Sequence, residues 1–139
     1  MPTEETFADL GIRSQIADAL RDAGIEHPFP IQRMAIPIAK QGTDMIGQAR
    51  TGTGKTLAFG VSLLHRIECD GEHGTAPQAL VVAPTRELAL QVSKDLNLAG
   101  SKLKARVLTV YGGVGYDAQL DALASGVDVV VGTPGRLLD

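Results

Sequence analysis

Four short apolar runs alternate with amphipathic segments from Asp44 onward. They read DMIGQA from Asp44, QALVVAP from Gln78, ARVLTVYGG from Ala105 and DVVVGTPG from Asp128. Continuous apolar runs of this length are typical of strands buried on both faces, which occur in parallel sheets covered by helices. The pattern therefore predicts an α/β fold with a mostly parallel sheet and helices on both faces.

The amphipathic segments between these runs are predicted to form helices. KTLAFGVSLLHRI follows the first run, RELALQVSKDLNLAG the second and YDAQLDALASG the third. In the first two, apolar side chains recur at helical spacing, as expected of helices that pack one face against a sheet. The residues that share a face are Leu57, Val61 and Leu64 in one segment and Leu88, Val92 and Leu96 in the other.

Two further helices are expected before the first strand. SQIADALRDAG has Ser14 as a possible N-cap and Gly24 as the residue that closes the helix. PFPIQRMAIPIAKQG also has helical character, but proline disfavours helical backbone in the residue before it. We therefore expect this second helix to be broken near Pro37.

Each apolar run ends in a cluster of glycine, proline, threonine or arginine. The four clusters are ARTGTGKT, APTRE, YGG and GTPGR. Ligands of open α/β sheets bind outside the carboxyl ends of the strands, and parallel strands end at the same edge. We therefore expect all four clusters to lie along one edge of the sheet.

The first cluster, Ala49–Thr56, has the glycine spacing of a phosphate-binding loop. Its glycines allow the backbone to curl around a phosphate, which the N–H groups at the start of the next helix would bind. Lys55 would reach the β- and γ-phosphates, and the Thr56 hydroxyl would ligate Mg²⁺. The pattern usually begins with glycine, whereas Ala49 gives a relaxed form of it. An ordinary turn between a strand and a helix is the alternative.

Hydrolysis needs an acidic residue at the end of a second apolar strand, where it would hold Mg²⁺ and orient water. ALVVAP and DVVVGTP both end in proline motifs instead, and Glu87 falls inside the helix that follows its strand. Glu68 and Asp70 follow a helix. The residues of this chain therefore predict phosphate binding without a complete catalytic centre.

The composition excludes several other classes of protein. The net charge of −3 argues against a protein that coats polyanions, so nucleic-acid contacts would be local. Cys69 is the only cysteine, which excludes an internal disulfide and fits a reducing compartment. The acidic N-terminus lacks a signal-peptide core, and no apolar run reaches membrane-spanning length. We expect a cytoplasmic protein without membrane contact, and the sequence leaves its oligomeric state open.

Taken together, these motifs resemble those of the DEAD-box ATP-dependent RNA helicases, in the first part of their N-terminal RecA-like domain. GIEHPFPIQ, residues 24–32, looks like the Q motif and ARTGTGKT like motif I. PTRELA is similar to motif Ia, the glycine doublet of YGG to the GG motif and TPGR to motif Ib. The resemblance spans nearly the whole chain. It implies that residues 1–139 form part of a RecA-like P-loop NTPase domain, with ATP and Mg²⁺ as cofactors and RNA as partner.

The resemblance implies an ATP site built from the Q motif and motif I. Gln32 would read the adenine edge with its amide donor and acceptor, and Phe7 and Ile25 would flank the base. Taken alone, Gln32 could be a capping or surface amide and Phe7 a core residue that anchors the first helix. Lys55 and Thr56 would be the catalytic residues on this chain. The implied nucleotide-binding residues are Phe7, Ile25, Gln32, Ala49, Arg50, Thr51, Gly52, Thr53, Gly54, Lys55 and Thr56.

The resemblance also implies an RNA track along motifs Ia, GG and Ib. Glycine backbones, hydroxyls and two arginines would contact the ribose-phosphate backbone, so binding would be independent of RNA sequence. Taken alone, Arg86 could form an ion pair within its helix, and Arg136 could be a surface residue. The implied RNA-binding residues are Pro84, Thr85, Arg86, Gly112, Gly113, Thr133, Pro134, Gly135 and Arg136.

The Asp-Glu-Ala-Asp box, the Ser-Ala-Thr motif and the second RecA-like domain of the family do not occur before Asp139. We therefore expect an incomplete domain from the N-terminal part of a helicase, with negligible ATPase and no unwinding activity alone. Unpaired apolar strand edges should make it poorly soluble. A non-catalytic nucleotide- or RNA-binding module is the second interpretation. An unrelated P-loop enzyme such as a small kinase is the third, although neither a lid nor a strand-end acid supports it.

Overall fold

The computed structural model describes residues 5–48, 54–67, 76–112 and 116–138. A short 3-10 turn, Ala8–Leu10, precedes alternating helices and strands. The helices are α1 (Ser14–Asp22), α2 (Pro30–Ala39), α3 (Lys55–Arg66), α4 (Arg86–Ala99), α5 (Tyr116–Ser125) and α6 (Pro134–Leu138). The strands are β1 (Ala79–Val82), β2 (Val107–Val110) and β3 (Val129–Gly132).

The three strands form one parallel sheet in the order β1-β3-β2. Val131 of β3 is in register with Val81 of β1 on one side and with Thr109 of β2 on the other. The central strand is buried along its whole length. Its run of β-branched valines suits this position, because such side chains pack well on a pleated surface with neighbours on both sides.

Helices cover both faces of the sheet. Val129 and Val131 face the larger core, to which α1, α3 and α4 contribute Leu20, Leu64 and Leu96 among other side chains. On the opposite face, Val110, Val127 and Val130 pack together with Leu108 and Leu137 of α6. The expected architecture of a parallel sheet with helices on both faces is therefore confirmed.

One expected strand is not formed. Residues 43–48 have no regular secondary structure and are exposed, with Ile46 at 99% of its full accessibility. A strand needs a neighbouring strand to accept its hydrogen bonds. Met45 and Gly47 lie instead beside α2 and the start of α3, where no strand is available. The prediction of a strand in DMIGQA is therefore wrong for the described part of that run, and Ala49 lies outside the described residues.

The second helix is not broken at Pro37. Helix α2 runs through this proline and ends two residues later at Ala39. Proline removes one backbone donor, which would have paired with the carbonyl four residues earlier, that of Arg33. Arg33 is exposed, so water can satisfy its carbonyl. The loss of one bond in the last turn therefore does not end the helix.

Two details of the other helices also differ from expectation. Helix α1 begins at Ser14 itself, with Arg13 as its N-cap and no side-chain cap. Gly24 closes that helix as expected, in a left-handed conformation with φ of +84°. In α4, Ala89 is buried and Leu88 is exposed, because Ala89, Val92 and Leu96 form the stripe that faces the core.

Buried side chains and hydrogen bonds connect the N-terminal segment to α2 and α3. Phe7 and Leu10 of the 3-10 turn are buried in the main core. Lys40 at the end of α2 donates from Nζ to the carbonyl of Leu10 at 2.9 Å. The backbone N–H of Arg13 donates to Nδ1 of His65 on α3 at 3.1 Å. These contacts hold α1 and α2 against α3, the helix that follows the glycine-rich cluster.

In the described part of the chain, every helix is too short or too polar to cross a membrane.

Candidate functional site

Three of the four polar clusters lie along one edge of the sheet. In the sheet register, Gly132 of β3 stands level with Val82 of β1 and Val110 of β2, so the three strands end together. Backbone bonds continue this alignment just beyond the strands: Ala83 N–H donates to the Gly132 carbonyl and Thr133 N–H to that of Val110. The expected shared edge is therefore confirmed for APTRE, YGG and GTPGR.

Helix α4 begins at this edge with a capped N-terminus. Thr85 is its N-cap, and the side-chain oxygen of Thr85 accepts the N–H of Leu88 at 3.2 Å. The hydroxyl hydrogen is not used in that bond and can still be donated. Pro84, Thr85 and Arg86 are all exposed. Arg86 and the positive end of the helix dipole attract anions here, phosphate among them, and Glu87 in the same turn carries the opposing charge.

The Arg86 guanidinium lies over the ring of Tyr111, with Cζ 4.7 Å from the ring centroid. Arg86 follows β1 and Tyr111 follows β2, and β3 separates these two strands. Among the described residues, no carboxylate forms an ion pair with Arg86, so the intrahelical pair considered from the sequence is not formed. Sequence reasoning missed Tyr111, although an aromatic residue directly before Gly112 was a visible signal.

The GTPGR cluster contains both exposed and half-buried residues. Thr133 is half-buried, whereas Pro134 and Gly135 at the start of α6 are exposed. Arg136 is half-buried with its Nη1 buried, and it lines a cavity of about 260 Å³ together with Gln119 of α5. Arg136 is therefore directed partly toward α5. Gly112 is exposed at the same edge, and Gly113 lies outside the described residues.

The phosphate-loop cluster is described from Gly54 onward, and Ala49, Arg50, Thr51, Gly52 and Thr53 lie outside the described residues. Gly54 is the N-cap of α3 and has a φ of +83°, in the left-handed region that glycine adopts without strain. Lys55, the first residue of α3, is exposed, and Thr56 is half-buried. Lysine and threonine therefore stand in the first turn of α3, and a helix N-terminus attracts anions.

Gln32 is the buried amide of this region, with 2% of its surface exposed. Its Oε1 accepts the backbone N–H of Phe29 at 2.8 Å, and its Nε2 donates to the Gly54 carbonyl at 3.0 Å. The amide thus caps α2 and joins it to the start of α3. One N–H of Nε2 and one lone pair of Oε1 are not used by these two bonds. Adenine recognition by Gln32 stays a prediction.

The two residues expected to flank adenine belong to the core in this structure. Phe7 is 1% exposed and packs in the main core cluster. This agrees with the alternative interpretation of Phe7 as a core residue that anchors the first helix. Ile25 is half-buried against the same cluster. The backbone N–H of Phe7 donates to the Glu26 carbonyl at 3.2 Å, which fixes the N-terminal turn against the residues before α2. Their contact with a base stays a prediction.

In the described ranges, no cluster of three or more His, Cys, Asp or Glu side chains could hold a metal ion. The described strands β1, β2 and β3 are followed by Ala83, Tyr111 and Thr133, none of them acidic. Thr56, the predicted ligand of Mg²⁺, therefore has no carboxylate partner directly after these three described strands. Mg²⁺ is usually held by one or two carboxylates together with phosphate oxygens, so Thr56 alone does not make a site.

Comparison with known proteins gives a consistent result. The family model of the DEAD/DEAH box helicases matches residues 29–139. The chain is 50% identical over 137 residues to the ATP-dependent RNA helicase DeaD of Klebsiella pneumoniae, covering 98% of this chain and 21% of that protein. It is 45% identical over 143 residues to the helicase RhlB of Vibrio parahaemolyticus, covering 99% of this chain and 32% of that one. The chain thus spans between a fifth and a third of the length of these relatives.

A solved structure gives the same picture of the fold. The RNA helicase Prp28 of Chaetomium thermophilum, bound to ADP, superposes with a TM-score of 0.87 at 38% identity. The match covers 100% of this chain and 35% of that one. The expected RecA-like α/β class is therefore confirmed. With its strand ends, motif order and family match in agreement, the chain belongs to the DEAD/DEAH box helicase family.

Proposed function

We propose that this chain binds ATP and RNA as the first part of an ATP-dependent RNA helicase. The observation that carries the proposal is the shared edge, where the strand ends of APTRE, YGG and GTPGR stand level in the sheet. Residues 1–139 would then be part of the N-terminal RecA-like domain, with the Q motif at residues 24–32. A cytoplasmic location is part of the same proposal.

The ATP site is built at the N-terminus of α3. Lys55 would bind the β- and γ-phosphates with its ammonium group, and the N–H groups of the first turn would complete the cradle. Gln32 would read adenine with the amide donor and acceptor that its bonds to Phe29 and Gly54 leave over. Prp28, which matches the whole of this chain, was solved bound to ADP, and this supports the choice of an adenine nucleotide as ligand.

Mg²⁺ would arrive with the nucleotide, because phosphate oxygens supply ligands that the chain lacks. Thr56 would add its hydroxyl oxygen. Hydrolysis also requires a carboxylate that orients water, and none follows β1, β2 or β3. We propose that the 139 residues by themselves bind ATP without appreciable turnover.

The RNA surface runs along the carboxyl edge of the sheet. Thr85, Arg86, Gly112, Pro134 and Gly135 present a hydroxyl, a cation and accessible backbone at exposed positions. Such groups contact phosphates and 2′-hydroxyls rather than base edges. Binding that is independent of RNA sequence follows from this composition.

Two binding assays test the proposal on the full 139-residue chain. Fluorescent ADP should bind, and Lys55→Ala should weaken it about tenfold or more, since a charge-assisted bond to phosphate is lost. Single-stranded RNA should bind as well, and Arg86→Ala should weaken it. Lys94→Ala removes an exposed lysine in the middle of α4 and serves as the matched control in both assays. Unchanged ADP affinity in Lys55→Ala would refute the nucleotide site.

A non-catalytic binding module is the second candidate. The lack of an acid after the three described strands favours it for the isolated chain. A steady-state phosphate-release assay with RNA separates the two: turnover within tenfold of a full-length relative would exclude the binding module.

A further inference from the structure

We infer that Tyr111 positions Arg86 for a nucleic-acid phosphate, acting through the ring contact that joins the ends of β1 and β2. The inference rests on the proposed RNA function and adds a residue that none of the family motifs considered above includes. Tyr111 is a positioning residue in this account, because it acts through Arg86.

The contact joins two strand ends that are not neighbours. Arg86 is the first residue of α4 after β1, and Tyr111 follows β2 directly, with β3 lying between. Strands separated by one neighbour are roughly 10 Å apart, a span that a long arginine side chain can cover. The distance of 4.7 Å from Cζ to the ring centroid lies within the range of a cation–π contact. The Arg86 side chain thereby spans from the end of β1 to the end of β2, two strands that β3 separates.

Both partners are anchored at their backbones. The Thr85 side chain caps the helix on which Arg86 stands. The carbonyl of Tyr111 accepts from Nε2 of the buried Gln119 on α5 at 3.4 Å, and Val110 before it is buried. The backbone of Tyr111 is therefore fixed relative to the sheet, whereas the Arg86 side chain is exposed and would sample many rotamers without the ring contact. Holding one rotamer lowers the entropy that is lost when a ligand binds.

The geometry leaves the arginine able to bind. A guanidinium that stacks on a ring face keeps its N–H groups in its own plane, where they can donate to two oxygens of a phosphate. Thr85, whose hydroxyl hydrogen is not used by its cap bond, precedes Arg86 in the chain. An ion pair with a carboxylate would have used the same donors, and no described carboxylate forms one with Arg86. The ring therefore holds the cation in a position where no described carboxylate competes with a phosphate for its donors.

The test is a double-mutant cycle on RNA affinity, measured by anisotropy of a fluorescein-labelled uridine 12-mer at several salt concentrations. Tyr111→Leu should weaken binding about two- to fivefold, the range for an exposed cation–π contact. Tyr111→Phe keeps the ring face and should bind within twofold of the natural chain. Arg86→Ala should weaken binding further and lower the slope of log K against log salt by about 0.7, one phosphate on a single strand. In the Arg86→Ala background, Tyr111→Leu should have no further effect.

The possible results distinguish failure of this inference from failure of the proposed RNA-binding function. Equal weakening by Tyr111→Leu with and without Arg86 would show that the ring contacts RNA directly, and would overturn the positioning role. No effect of Tyr111→Leu beside a clear effect of Arg86→Ala would overturn the inference alone. No effect of Arg86→Ala would overturn both. Arg86→Lys provides a second test in case Tyr111→Leu fails to fold. It keeps the positive charge but loses the planar guanidinium, so it should weaken RNA binding. Unchanged RNA affinity of Arg86→Lys would contradict the inference.

Discussion

The side-chain amide of Gln32 joins the start of α2 to the start of α3, donating from Nε2 to the carbonyl oxygen of Gly54 at 3.0 Å. Its Oε1 accepts the N–H of Phe29 at the same time. The residue proposed to read adenine therefore also fixes the backbone just before Lys55. The proposed base recognition and the proposed phosphate binding would thus be connected through a single buried amide.

Gln32→Glu should destabilise the fold. The carboxylate can still accept from Phe29 N–H, but it places an acceptor against the Gly54 carbonyl and loses the donor. An unpaired buried polar group costs about 1–3 kcal/mol, and a charged one costs more. Urea unfolding followed by circular dichroism measures the loss. Gln41→Glu makes the same change at an exposed position and should cost little. Equal stability of the two variants would contradict the role of the amide.

Gly54→Ala should be more damaging than Gly24→Ala, although both glycines have nearly the same positive φ. A left-handed alanine costs about 1–2 kcal/mol at either site. At Gly54 the new Cβ would also lie 2.9 Å from Cδ2 of Phe29 and closer still to the Gln32 amide, whereas at Gly24 it meets nothing within 4 Å. Urea unfolding of the two variants measures the added cost of these contacts with Phe29 and Gln32. Equal losses would mean that only the backbone conformation matters.

Much of the fold could be read from the sequence because its strands are continuous apolar runs that end in conspicuous polar clusters. Val129–Val131 is the clearest case, since three consecutive valines predict a strand buried on both faces, which β3 is. The carboxyl edge followed from the parallel arrangement alone. Gly24 was recognisable as a helix end because its left-handed conformation is one that glycine adopts without strain.

The remaining features depend on tertiary context that local patterns do not carry. DMIGQA has the composition of a strand, yet residues 43–48 lie beside helices and find no strand to pair with. Pro37 stays within a helix because it lies near the end of α2, where the carbonyl that loses its bond belongs to the exposed Arg33. The contact between Tyr111 and Arg86 joins residues 25 positions apart (111 − 86) across the top of β3, and sequence spacing gives no sign of it.

Stability should fall as the pH drops below about 6.5, the ordinary pKa of histidine. Burial lowers the pKa of His65 first, and the positive charges of Arg13, Lys40 and Arg66 lower it further. Nδ1 of His65 accepts the N–H of Arg13, so the neutral ring is the form that the fold requires. Because the folded pKa lies below the unfolded one, the contribution is complete above pH 6.5 and is lost between the two values.

Thermal unfolding between pH 5 and 8 checks this dependence. His65→Asn keeps an acceptor for Arg13 N–H without a titrating group, so its stability should vary less over that range. A steep loss of stability in His65→Asn would assign the effect to other groups.

Self-association of the isolated chain should proceed through the outer side of β1. Leu80 and Val82 are 61% and 57% exposed on one face of this strand, and in the described sheet β1 pairs with β3 alone. A strand edge with exposed apolar side chains is a template for pairing with another chain, and lysines there oppose it. The double variant Leu80→Lys and Val82→Lys should therefore stay in solution at higher concentration, with little change in thermal unfolding.

Met34→Lys with Ile38→Lys adds the same two charges to exposed positions of α2 as a control. Each pair of substitutions moves the net charge from −3 to −1, and a smaller net charge by itself favours association. Higher solubility of the β1 variant alone would therefore come from the change at the strand. Light scattering against concentration measures the difference, and equal scattering by the two double variants would place the association elsewhere.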